Sequence, residues 1–126
     1  MSEEREKPLN IRERSFEYAL RAIKLYQFLK EKKDEAGDII GKQYLRCATS
    51  IGANIEEAQS GESRADFIHK YSIAQKEARE SLYWLRILAK SEIVPLHRLI
   101  LLINETEELI AVITTIIVRA KQNRRS

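Results

Sequence analysis

Apolar residues recur along this chain in separate stretches, each at the three- and four-residue spacing of a helix face. In the first, Phe16, Ala19, Leu20, Ile23, Tyr26 and Leu29 share a face, while Arg12, Arg14, Glu17, Arg21 and Lys24 mostly fall elsewhere. Asn10 just ahead suits an N-cap, because its amide oxygen can accept from the unpaired N–H groups of a first turn. The pattern fades near Lys33. Gly37 then suits the stop of that helix and Asp38 the cap of the next. The second stretch, 39–60, carries Tyr44, Ala48, Ile51, Ile55 and Ala58 as its apolar seam. Gly52 inside it costs about 1 kcal/mol relative to alanine, and close approach of a neighbouring helix would account for it. Gly61 punctuates the chain. Ser63-Arg64-Ala65-Asp66 then resembles a capping box, with Asp in place of the usual Glu or Gln.

The third stretch, 64–90, has the most regular pattern. Phe67, Tyr71, Ala74, Ala78, Ser81, Leu85 and Leu88 alternate steps of four and three, the seam used in antiparallel bundles, with small residues permitting tight packing in its middle. Pro95 suits the first position of a fourth helix, 95–120. There Leu96, Leu99, Ile103, Thr106, Ile110, Ile113 and Ile117 form one face, which Leu102, Leu109 and Ile116 widen. The β-branched run from Ile110 to Val118 argues locally for a strand. The helical period continues through Glu105, Glu107 and Glu108, however, and no partner strand is visible. The expected fold is a single all-α domain over 1–126, an antiparallel up-down-up-down four-helix bundle. One bundle would cover the fourth helix from one side only, so Leu102, Leu109 and Ile116, together with Trp84 and Ile87 beside the third seam, are candidate oligomer contacts.

A polar seam runs beside the apolar seam of the second helix: Gln43, Ser50, Asn54 and Glu57, with Arg46 close by. Polar groups bordering a core need partners, since leaving one buried and unpaired costs about 1–3 kcal/mol. These residues, with Glu77 and Glu80 of the third helix, are read as a hydrogen-bond and ion-pair network that fixes register, with Arg46, Lys76 or Arg79 supplying the positive charge to Asn54 and Glu57.

Composition narrows the class without naming an activity. Charged residues are 33% and apolar ones 44% of 126, with four glycines and two prolines, which fits a helical globular domain. The net charge of +3 permits contact with nucleic acid or an anionic membrane and does not demand it. Cys47 is the single cysteine and suits a core position in a reducing cytoplasm. The charged start, Met1 to Lys7, has no apolar segment of the signal-peptide kind, and no apolar run approaches the ~20 residues that span a bilayer.

From Arg12 to Lys121 the chain resembles the bacterial four-helix bundle proteins called the S23 ribosomal or 23S rRNA intervening-sequence family. The resemblance is carried by Gln43 with Arg46, by Ser50-Ile51 followed by Ala53-Asn54-Ile55, and by Glu57. It continues in Asp66-Phe67, in Ala74-Gln75-Lys76-Glu77-Ala78-Arg79-Glu80 and in Tyr83-Trp84-Leu85. Ala58 stands where the family usually has glycine. The resemblance implies a ring-shaped homo-oligomer, commonly a pentamer, and little chemistry. A similar architecture occurs in accessory proteins of diversity-generating retroelements, which associate with a reverse transcriptase and nucleic acid.

The catalytic readings find little support. A di-metal carboxylate bundle needs paired Glu-x-x-His units; Asp66 precedes His69 at that spacing, but Val94 stands in the acidic position before His97. Zinc sites need more Cys and His, and neither a nucleophile elbow nor a phosphate loop is present. The expectation is a cytoplasmic, non-enzymatic scaffold or binding protein with no cofactor, metal, membrane contact or small-molecule substrate. RNA or a nucleoprotein complex is the leading partner, met by Arg12, Arg14, Arg21, Arg119, Lys121, Arg124 and Arg125 if the first helix begins near the end of the fourth. Tyr18 alone looks exposed beside that patch, so a platform for stacking bases is not evident. The alternative is an adaptor for another protein, recruited by the fourth helix and Trp84.

Overall fold

Four helices follow one another with short connections in the computed structural model, which describes residues 9–125, and side chains as far as residue 123. They are α1 (Ile11–Lys32), α2 (Glu35–Gln59), α3 (Arg64–Lys90) and α4 (Leu96–Arg125). Successive helices run antiparallel, α1 packs on α2, α2 on α3 and α3 on α4, and the α4–α1 contact that closes the bundle is the thinnest. The β-branched run 110–118 is helical throughout. No described helix is long and apolar enough to cross a membrane.

The caps explain most of the boundaries. Asn10 accepts from the Glu13 N–H, and the Glu13 carboxylate accepts from the Asn10 N–H, which completes a reciprocal box. Ser63 caps α3 by accepting from the Asp66 N–H. The α1–α2 turn corrects the sequence expectation. Lys33 takes the left-handed conformation at φ 56° and Asp34, not Asp38, is the N-cap, its carboxylate accepting from the Gly37 N–H at 2.7 Å. Gly37 is therefore inside the first turn of α2 and stops nothing. A Cβ there would lie 3.0 Å from Ile93 Cγ2, so its small size serves packing against the α3–α4 loop. Pro95 directly precedes α4, whose end lies at Arg125 and not near 120. Gly52 meets the expectation of a close neighbour, since a Cβ there would lie 3.2 Å from Ser15 Oγ on α1.

The core faces of α2 and α3 follow the sequence pattern, with Ile68 buried on α3 where Phe67 was expected. The core face of α1 does not. It consists of Ser15, Tyr18, Ala22 and Leu25, one residue earlier in the helical period than the expected set, together with Leu29, which is buried as expected. Phe16, Leu20 and Ile23 face outward at 63%, 42% and 39% exposure. The displacement has a physical cause: Tyr18 finds two hydroxyl partners at the bundle centre, and Ser15 fits the narrow gap beside Gly52. On α4, Leu102 and Leu109 belong to the subunit's own core, together with Leu99, Thr106, Ile113, Ile117 and Ala120. Those two leucines are thus unavailable as oligomer contacts. Leu96, expected on the inner face, is exposed.

Candidate functional site

The bundle centre holds a polar cluster to which every helix contributes. Tyr44 on α2 donates to the Tyr18 hydroxyl at 3.0 Å. Tyr18 on α1 lies 2.6 Å from Thr106 Oγ1 on α4, and Thr106 donates its own proton to the Leu102 carbonyl. Tyr18 is therefore the donor to Thr106, and the hydrogen bonds run in one direction from α2 through α1 to α4. Ser81 Oγ on α3 lies 3.3 Å from Cys47 Sγ, and the Cys47 thiol donates to the Tyr44 carbonyl. Burial pushes the Tyr18 hydroxyl up to about 12, and the hydrogen bond it accepts from Tyr44 opposes the shift. Tyr44 is raised well above its ordinary value, first by burial and then by Tyr18. Burial likewise takes the Cys47 thiol up to about 11, which keeps it protonated and a poor nucleophile. These groups stay neutral at physiological pH and hold the helices in register. Tyr18 was expected to be exposed and is completely buried.

The polar seam between α2 and α3 forms in part. Arg46 donates to Gln43 and lies 3.6 Å from Glu80, which also accepts from the Trp84 indole N–H. Asn54 donates to the Ser50 carbonyl of its own helix, and Ser50 to that of Arg46. Glu57 pairs with Lys70, and not with Arg46, Lys76 or Arg79. Glu77 offers its backbone carbonyl to Ser81, while its Oε1 is buried without a partner. Trp84 is half-buried against Tyr83, and Ile87 and Ile116 are half-buried at the core edge. His69 and His97 are both exposed. Among the described residues no three His, Cys, Asp or Glu side chains converge to hold a metal ion.

The expected basic patch is largely dismantled. Arg12 makes a two-pronged pair with Glu56, which raises the guanidinium and lowers the carboxyl through the shared hydrogen bonds. Arg14 bridges Glu105 and Glu108 at 2.9 and 2.8 Å, and the Glu105 hydrogen bond leads the causes that raise it. Arg14 meets Glu105 and Tyr18 meets Thr106, so the first turns of α1 lie beside the middle of α4. Arg119 and Lys121 are exposed further along α4, beyond the α1 start, and the side chains of Arg124 and Arg125 lie outside the described residues. Arg21 lies higher on α1, lining a groove with Lys24, Phe28 and Arg98.

Several surface depressions remain, among them one of about 460 Å³ on the α1–α4 seam lined by Arg14, Glu17, Arg21 and Glu105. A hollow of about 650 Å³ between α1 and α2 has a floor of Ser15, Ala19, Thr49, Gly52 and Ala53, with Phe16 at its edge. A smaller one of about 300 Å³ lies between α1 and α4, over the thin seam. Its residues Phe28, Arg98 and Leu101 were not singled out from the sequence, although Phe28 and Lys32 stand one helical turn apart and hinted at a cation over a ring.

An antiparallel four-helix bundle stapled by a buried tyrosine–threonine cluster, with one apolar stripe of α1 left outside, defines the class of protein. The model of the family described as 23S rRNA-intervening sequence protein matches residues 7–115, and the chain belongs to that family. A crystal structure from Bacteroides thetaiotaomicron, described as a protein of unknown function from the S23 ribosomal protein family, is similar at 41% identity. That match covers 86% of this chain and 98% of the other with a TM-score of 0.81. No protein of curated function matches.

Proposed function

We propose that the chain is a non-enzymatic scaffold that assembles into a homo-oligomeric ring, a pentamer, and presents bound partners in the cytoplasm. The observation that carries this reading is the second apolar stripe of α1. Phe16, Leu20 and Ile23 project from a bundle whose core is already filled, beside a hollow floored by small residues. Knob and hole on one surface suit contact between copies, and patches of this kind on soluble proteins mark interaction sites. Exposed Leu96 and Ile100 add apolar area on α4. The buried, protonated Cys47 suits a reducing compartment.

Light scattering tests the assembly. The wild-type protein is expected at several times 14.7 kDa at micromolar concentration. Phe16→Glu places a charge in the contact and is expected to yield a monomer with an unchanged helical spectrum. A wild-type monomer, or an undisturbed oligomer in the variant, removes the reading.

RNA or a nucleoprotein complex is the second part of the proposal, favoured by exposed Arg119 and Lys121 near the end of α4, followed in sequence by Arg124 and Arg125. A ring repeats that weak patch, and avidity strengthens it without any new contact. The retroelement type of accessory protein would use the same surface. Labelled RNA is expected to shift at low salt and to be released as salt rises.

A further inference from the structure

We propose that the groove between α1 and α4 is a docking site for an amphipathic helix with acidic flanks, carried by another protein. Its floor is aliphatic: Leu25 and Leu102 lie at the base, and Leu101 stands on the rim at 71% exposure. Its walls are basic on both sides, with Arg21 and Lys24 from α1 and Arg98 from α4; the carboxylates of Glu17 and Glu105 line the next hollow along the seam, where Glu105 is paired with Arg14. The α1–α4 contact is the thinnest in the bundle, so a guest helix lies over a shallow seam between two antiparallel rods. An apolar stripe fits the leucines at i, i+3, i+4 and i+7, and carboxylates on either side of it meet the cations.

The groove favours a peptide over a nucleic acid. Single strands are held by phosphate contacts together with aromatic faces on which bases stack. The one aromatic ring here, Phe28, already has the Arg98 guanidinium 4.6 Å from its centre and the Lys32 ammonium at 5.5 Å. The remaining floor is leucine, which offers a base nothing to stack on. The Phe28 ring instead holds Arg98 over the seam, poised for a carboxylate.

The inference rests on the binding-protein half of the proposed function and fails separately from it. The probes are a fluorescent amphipathic peptide of about 18 residues, ~27 Å when helical, with leucines on one face and glutamates flanking them, its lysine-flanked counterpart, and a labelled single-stranded oligonucleotide. The full-length protein is expected to bind the acidic peptide, to bind the lysine peptide at least about tenfold more weakly, and to lose acidic-peptide affinity by about tenfold in Lys24→Glu and Arg98→Glu. Both substituted side chains are exposed, so the fold survives, and Arg119→Glu serves as a control that leaves peptide binding unchanged. Equal affinity for the two peptides, no loss in the groove variants, or displacement of the oligonucleotide from the groove by the acidic peptide overturns the proposal. Light scattering and RNA shift on the same samples report the scaffold reading independently, because neither depends on the peptide.

Discussion

Raising the pH from about 8 to about 12 is expected to destabilise this protein steeply, because folding prefers three buried groups in their neutral form. Tyr18 moves from 10.0 to about 12 in the folded chain, and Cys47 from 9.0 to about 11. Tyr44 moves in the same direction. Each folded pKa lies above its unfolded counterpart. The stability they contribute is therefore complete below pH 9 and is lost as the pH rises through 11 and 12. For Tyr18 alone the loss approaches ~3 kcal/mol, at about 1.36 kcal/mol per pH unit. Tyr44 and Cys47 add to it, against a total stability of about 5–15 kcal/mol for an ordinary domain. Urea midpoints followed by circular dichroism should fall steeply above pH 10. A midpoint that stays flat to about pH 12 would show that these side chains are not sealed from water.

Tyr18→Phe is expected to cost about 2–3 kcal/mol, and Tyr44→Phe no more than about 1 kcal/mol, although the two lose the same atom. The asymmetry follows from the direction of the hydrogen bonds. Removing the Tyr18 hydroxyl strands the Tyr44 O–H, a buried donor whose only acceptor has gone, and also removes the bond to Thr106. Removing the Tyr44 hydroxyl leaves Tyr18 still donating to Thr106, and Thr106 still donating to Leu102. Chemical denaturation of both variants and the double variant measures the coupling. Equal costs, or a larger cost for Tyr44→Phe, would show that the hydrogen bonds run otherwise.

Much of the architecture could be read before any coordinates. Asn10 and Ser63 cap helices as their residue types predict, and the steps of four and three from Tyr71 to Leu88 mark the buried face of α3. The α1 face could not be chosen from periodicity, because Phe16-Leu20-Ile23 and Tyr18-Ala22-Leu25 are both apolar stripes of helical spacing. What decided between them was the hydroxyl of Thr106, 88 residues away in sequence. The same distance problem hid the fate of the arginines. Arg14 looked available for phosphate, but its carboxylate partners lie 91 and 94 residues further along the chain. The burial of Leu102 and Leu109 is not legible in the sequence, because the width of an apolar face does not say how deeply two neighbouring helices embrace it. Asp34 does not stand out in the sequence because Gly37 is the more conspicuous stop, whereas a lysine in the left-handed region turns the chain sooner.

The slender α1–α4 closure has a consequence for the order in which the molecule loosens. The α2–α3 hairpin forms the broadest contact, and each outer helix leans mainly on one inner neighbour. Brief excursions from the native state are accordingly expected to begin with α1 and α4 swinging apart, baring Tyr18 and Thr106 while the central hairpin stays closed. Amides in the middle of α2 and α3 then exchange with solvent most slowly, and the outer pair sets the breathing rhythm of the bundle.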